Sequence, residues 1–262
     1  MGYTRKQVLP SAPRDRHPVS TGDYDAWLFD LDGVLTDTAS VHAAAWKRTF
    51  DGYLEELAAR QGSAFEPFEI DPDYYRYVDG KPRYDGVDSF FRSRGIVLEW
   101  GDPGDPPERE TVCGIGNRKN AAFNEVLGTR GVQVFESSVA LVRELGDRGE
   151  RTAVVTSSKN CNAVLEAAGL RDLFDARVDG NVAERKKLAG KPAPDTFEEA
   201  ARSLGAAPER SVVVEDAVSG VRAGRAGGFG LVVGVARGEH REALREGGAD
   251  VVVGDLAQLE LR

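Results

Sequence analysis

The stretch AWLFDLDGVLTDT, residues 26–38, decides the fold: an apolar run of strand character ends abruptly in two aspartates one residue apart. A strand apolar at successive positions is buried on both faces, as in a parallel sheet covered by helices. Its carboxylates then stand at the edge of that sheet. Downstream, Val-rich runs of the same kind recur as RTAVVTSS (151–158), DARVDG (175–180), SVVVEDA (211–217), GLVVGVA (230–236) and ADVVVGD (249–255). Helical patterns at 137–149, 160–170, 193–205, 219–228 and 240–248 separate them, most closed by a glycine suited to a left-handed C-cap. Strand–helix repetition of this kind predicts an α/β fold with a doubly wound parallel sheet.

One feature breaks the rhythm. Residues 38–133 lie between the first strand and the next, far more than one crossover helix requires, and they predict an inserted domain. Its ends read as helical (38–62 and 118–131), with another helical stretch at 87–96. The middle, 97–116, is rich in Pro, Gly and acid and reads as a surface excursion rather than core. Three domains are therefore expected: an extended or disordered leader over 1–23, a core of 24–37 plus 134–262, and a helical cap over 38–133.

Composition limits the partners. With 34 Lys and Arg against 43 Asp and Glu, the net charge of −9 repels nucleic acid and anionic membranes, so any anionic ligand must meet locally concentrated cations. Cys113 and Cys161 stand far apart, without the spacing of a zinc site or a disulfide framework, which suits a reducing cytoplasm. No run of about 18 apolar residues or signal-peptide pattern is seen.

In open parallel sheets ligands bind beyond the carboxyl ends of the strands. There the sequence puts Asp30 and Asp32, then Thr156, Ser157 and Ser158, then Glu215 and Asp216, with Lys191 in the loop GKPAPD after the third main strand. Each has a plainer explanation taken singly: turn and helix caps for the aspartates, an N-cap for the serines, a solvated loop for the lysine. Their joint placement at successive strand ends is harder to obtain from capping. Three or more carboxylates in one cleft need a cation, and hard oxygen ligands with room for water and phosphate favour Mg²⁺. The chemistry such a cleft supports is phosphoryl transfer, with Asp30 placed to attack phosphorus and Asp32 to carry the proton.

The segments DLDGVLTDT, TSS, GKPAPD and VVVEDAVSG resemble, in order and placement, the four motifs of the haloacid dehalogenase superfamily. The second aspartate of the first motif points to its phosphatases and phosphomutases. That resemblance implies Asp30 as nucleophile, Asp32 as acid/base with its backbone carbonyl on Mg²⁺, Thr156 and Lys191 as phosphate binders, and Glu215 and Asp216 as metal ligands. Finer matches are similar to the β-phosphoglucomutases. DTASVHAAAW implies a hinge and a gating histidine, His42; GKPRYD implies Arg83 on a distant phosphate; NRKN implies Lys119 and Asn120 as substrate binders; TSSKN extends through Lys159 and Asn160.

Without the resemblance, His42 would read as a packing residue and Arg83 as a partner of Asp85 or Asp88. Trp46 reads first as cap core and second as a sugar-stacking platform, and it stays among the substrate-binding candidates. The implied activity interconverts β-D-glucose 1-phosphate and glucose 6-phosphate through an aspartyl phosphate and β-glucose 1,6-bisphosphate. The alternative is a Mg²⁺-dependent sugar-phosphate phosphatase on the same scaffold. The expected partners are phosphosugars bound by a cytoplasmic monomer, with neither nucleic acid nor membrane.

Overall fold

The computed structural model describes residues 16–262. The expected α/β architecture is present as a six-stranded, all-parallel sheet. After a short first strand, β1 (His17–Val19), the chain enters the sheet at β2 (Ala26–Phe29) and continues through β3 (Arg151–Val155), β4 (Ala176–Val178), β5 (Ser211–Glu215), β6 (Leu231–Val235) and β7 (Val251–Val253). Their spatial order is β4-β3-β2-β5-β6-β7. The winding therefore runs outward from β2 in one direction and restarts at β5 in the other, which opens a crevice at the carboxyl ends of β2, β3 and β5.

Both faces of the sheet are covered. Trp27, Phe29, Val154, Val212 and Val214 pack with Val139 and Val142 of α4 (Glu136–Asp147) and Val164 of α5 (Cys161–Ala167). Ala26, Leu28, Ala153, Val155 and Val213 pack against Phe197 and Ala200 of α7 (Asp195–Ser203) and Val221 of α8 (Val218–Ala226). Alternate residues of each strand thus bury on opposite sides, which is why the strands read as continuous apolar runs.

Between β2 and β3 come α1 (Ala39–Gln61), a π-type helix over Ile70–Val78, α2 (Arg83–Ser93) and α3 (Val112–Arg130). They surround a separate aromatic core of Trp46, Phe50, Tyr53, Phe68, Phe90 and Phe91. The two chain crossings into this helical insertion run side by side: Asp37 N donates to Gln133 O (2.9 Å) and Phe135 N to Leu35 O (2.9 Å).

Two expectations need correction. Of the leader expected to be extended or disordered, residues 17–23 are ordered: β1 pairs in parallel with β8 (Leu259–Leu261), and Thr21 N donates to Arg262 O (3.0 Å). A three-residue strand is too short to show a period, so the pairing leaves no trace in the pattern. Residues 1–15 of the expected leader lie outside the described residues. Nor is all of 97–116 surface: Val112, Cys113 and Ile115 are fully buried in the first turns of α3, where Gly114 and Gly116 had diluted the apolar signal. A further helix, α6 (Gly180–Lys186), begins at Asp179, whose carboxylate accepts from the backbone N–H groups of Asn181 and Val182. Among the described residues no helix is long and apolar enough to cross a membrane.

Candidate active site

A cavity of about 690 Å³ lies between the carboxyl edge of the sheet and the helical insertion. Asp30 comes directly after β2 and its backbone N–H still donates to Val214 O (2.9 Å), so the strand ladder itself fixes this carboxylate. Lys191, almost wholly buried, reaches it from the loop before α7: Nζ lies 2.5 Å from Asp30 Oδ1 and 2.6 Å from Glu215 Oε1. Glu215 ends β5, and its second oxygen accepts from Ala217 N (2.8 Å). Asp216 completes the group. Gly33 admits it: at φ 90° this residue needs to be glycine, and a Cβ there would come within 1.8 Å of Asp216 Oδ2.

Carboxylate oxygens of Asp30, Glu215 and Asp216 all lie within 4.8 Å of one another. One buried lysine cannot balance them. Burial pushes the pKa values of Asp30 and Asp216 well above the carboxylate range, and their acidic neighbours add to the rise. A cluster of hard oxygen donors short of positive charge fits a divalent cation such as Mg²⁺.

The Asp32 carboxylate turns away from that cluster. It accepts from the hydroxyls of Thr38 and Thr156 (3.3 Å for the latter) and lies 3.4 Å from His42 Nε2. Burial alone would raise its pKa, but His42, Thr38 and Lys119 outweigh burial and hold Asp32 at about 2. His42 stacks on Phe123 with centroids 4.1 Å apart, and its Nδ1 meets Lys119 Nζ. With Lys119 as the ammonium, which only donates, Nδ1 accepts and the ring proton sits on Nε2, on the side of Asp32. Burial, with Arg83 nearby, lowers Lys119 to about 7; burial and then Lys119 lower His42.

Arg83 opens α2 and projects into the cavity. Its Nη2 donates to Asn120 Oδ1 (2.8 Å) and its Nη1 approaches Asn117 Oδ1 (3.4 Å). Asp88, a sequence candidate for its partner, is taken by Arg92 (2.7 Å). Among the described residues no carboxylate forms an ion pair with Arg83; its acceptors are neutral amide oxygens.

The remaining sequence candidates divide. Ser157 Oγ donates to Gly80 O (3.0 Å) and Ser158 Oγ accepts from Asn160 N (3.1 Å), so both hydroxyls hold the chain rather than face the cavity unpaired. Asn160 Nδ2 donates to Asn120 Oδ1 (2.7 Å), and Ser219 Oγ to Asp79 O (3.1 Å), so sheet and insertion are latched on both sides. Lys159 pairs with Glu184 (2.8 Å). Trp46 is 5% exposed, stacked on Phe50 with Lys119 5.0 Å from its ring centroid: it belongs chiefly to the helical core and lends one edge to the cavity.

Sequence reasoning missed Asp79, Asn117 and Trp100. Asp79 lines the cavity beside Gly80, and burial together with Glu215 lifts its carboxyl to about 7. Its only trace in the sequence was its place four residues before Arg83.

Strand-end carboxylates, a buried lysine and a helical insertion facing them are the features on which a family assignment rests. A haloacid dehalogenase-like hydrolase family profile matches residues 24–228. The chain belongs to the haloacid dehalogenase-like hydrolase family. Within that family it is 52% identical over 237 residues to a β-phosphoglucomutase of Mycobacterium bovis, a match covering 89% of this chain and 90% of that one. Among solved structures it resembles a β-phosphoglucomutase of Clostridium difficile (TM-score 0.70, 25% identity, 90% and 93% of the two chains). It also resembles CbbY of Rhodobacter sphaeroides in complex with xylulose-(1,5)bisphosphate (TM-score 0.67, 25% identity, 91% and 97%).

Proposed function

We propose that the protein is a β-phosphoglucomutase, interconverting β-D-glucose 1-phosphate and glucose 6-phosphate through phosphorylated Asp30 and β-glucose 1,6-bisphosphate. The observation that carries this reading is the second cation. A phosphatase needs one anion site, whereas a mutase must hold one phosphate at Asp30 and the other elsewhere while the bisphosphate turns around. Lys191 with Thr156 serves the first position. Arg83, half-buried and hydrogen-bonded among the described residues to amide oxygens, with Lys119 nearby, serves the second.

The state of Asp32 supports the same order of events. A mutase cycle starts from phosphorylated Asp30 and a monophosphate, and its first proton transfer takes a hydrogen from the attacking sugar hydroxyl. Asp32, held anionic at about 2, suits that role. The proton it gains is then returned to the leaving oxygen in the second half of the cycle. His42 gives Asp32 a place to rest between transfers, and residues 38–133, acting as a cap, exclude the water that would hydrolyse the acyl phosphate.

Asp30, Glu215 and Asp216, with the Asp32 backbone carbonyl, would hold Mg²⁺, which when bound offsets the carboxylate charge and polarises the transferring phosphoryl group. We place this activity in the cytoplasm, in a monomer. The test offers purified protein β-glucose 1-phosphate, Mg²⁺ and a trace of β-glucose 1,6-bisphosphate, then compares glucose 6-phosphate with free phosphate. Glucose 6-phosphate should dominate; phosphate release across phosphosugars would make the protein a phosphatase instead. Asp30→Asn should lower either activity by roughly 10⁴-fold, since both pass through the acyl phosphate assigned to Asp30.

A further inference from the structure

The segment between α2 and α3 has the composition of a loose surface loop, yet polar contacts hold it tightly. Asp105, 6% exposed, accepts from Thr111 Oγ1 (2.7 Å) and Asp102 N (3.1 Å) and pairs with Arg109 (2.8 Å). Thr111 in turn caps α3 on Gly114 N (3.0 Å), and Arg118 Nε donates to Pro107 O (2.9 Å). Gly101, at φ 78°, closes the turn where a Cβ would stand 2.2 Å from Asp105 Oδ2.

One side chain carries this construction into the cavity. Asn117 Nδ2 donates both its hydrogens to the loop, to Pro103 O (3.0 Å) and to Asp105 O (2.9 Å). Backbone carbonyls only accept, so the amide cannot be flipped. Its Oδ1 must face the other way, where it accepts from Tyr84 OH (3.0 Å) and meets Arg83 Nη1 (3.4 Å).

We propose that Asn117 is a positioning residue for Arg83: it anchors the guanidinium to the rigid 101–111 loop while leaving its charge uncancelled for a substrate phosphate. An aspartate in its place would oppose two carbonyls and neutralise the arginine. An apolar residue would leave the long Arg83 side chain to be ordered at the moment of binding. The 101–111 loop is therefore a support for the remote anion site. This inference rests on the mutase reading above.

The test measures calorimetric binding of β-glucose 1,6-bisphosphate, and separately of inorganic phosphate, with Mg²⁺ present, to full-length protein silenced by Asp30→Asn. Adding Asn117→Ala should weaken bisphosphate binding about tenfold, but roughly twofold or less when Arg83→Ala is already present, because the two act through one contact. Equal losses in both backgrounds would mean that Asn117 acts only on the fold and would overturn the inference alone. If the parent binds bisphosphate no more tightly than inorganic phosphate, the mutase reading falls and the inference falls with it. Should Asn117→Ala fail to fold, Asn117→Asp, nearly equal in volume, takes its place in the cycle. It should weaken binding at least as much, and parent-like affinity would overturn the proposal.

Discussion

Lys191, buried, and Arg83, half-buried, are two cations lining one cavity, and they differ in what answers them. Lys191 sits between Asp30 and Glu215; burial would pull its pKa down, but the two carboxylates outweigh burial and hold it above its ordinary value. Among the described residues Arg83 hydrogen-bonds to the amide oxygens of Asn117 and Asn120 and lies over the Tyr84 ring, and burial lowers its pKa. A saturated cation organises what is already there. An unsaturated one, held in place at the cost of its hydration, is a site for something that arrives. The sheet edge therefore has a surplus of negative charge, and the insertion facing it has positive charge to spare.

The largest expected effect comes from deleting the saturated cation. Lys191→Ala leaves Asp30 and Glu215 facing each other without their shared partner, and every phosphoryl transfer should fall roughly 10³-fold, glucose 6-phosphate formation and phosphate release alike. Thermal unfolding should move down as well, since breaking a buried ion pair costs about 3–5 kcal/mol. A variant that kept either activity would mean that Lys191 is a structural strut alone.

Deleting the unsaturated cation should do something different in kind. Arg83→Ala removes no partner from any carboxylate, so the fold should hold. Glucose 6-phosphate formation should drop roughly 10²-fold while slow hydrolysis of a small phosphate ester at Asp30 continues. Parallel loss of both reactions would erase the distinction between the two cations. Glu215→Gln should cost less than either: Lys191 keeps Asp30 but loses its second charge partner, and roughly a tenfold loss in kcat is expected, with Lys191→Ala adding little beyond its own effect.

The saturated half of this pairing was legible in sequence and most of the unsaturated half was not. Strands buried on both faces announce themselves as Val-rich runs, and the polar residues at their carboxyl ends, Asp30, Thr156 and Glu215, are delivered to one edge by the winding of the sheet. Lys191 lies on a loop, but the loop carries a recognisable motif. Arg83 was found through its resemblance, and nothing in the pattern disclosed its surroundings. Asn117 and Asp105 act through single hydrogen bonds across the chain, which leave no periodicity, and the loop they brace looks like solvent-exposed acid and proline. Asp79 enters the cavity because Ser157 and Ser219 dock its loop onto the sheet, a tertiary contact invisible to spacing. The strand pair β1–β8 escaped for the simplest reason, three residues a side.

The smallest expected effect probes the negative side in the absence of substrate. Asp30, Asp79 and Asp216 have folded-state pKa values above the ordinary 3.8, Asp79 reaching about 7, so the folded protein binds more protons than the unfolded chain across that interval. Stability from these groups is present below the unfolded value and is lost as pH rises toward 7. His42, lowered by burial, works the other way below 6.5, and Lys119, lowered to about 7, does so above that pH. Three carboxylates oppose one imidazole between pH 5 and 7. In EDTA, the melting temperature should therefore fall by a few degrees over that range, at about 2–4 °C per kcal/mol for a chain of this size. Mg²⁺ favours the anionic carboxylates and should flatten the fall, raising the melting temperature more at pH 7 than at pH 5. A melting temperature that rises with pH in EDTA would show that the cluster is already balanced by the protein's own cations, and the contrast between Lys191 and Arg83 would lose its negative half.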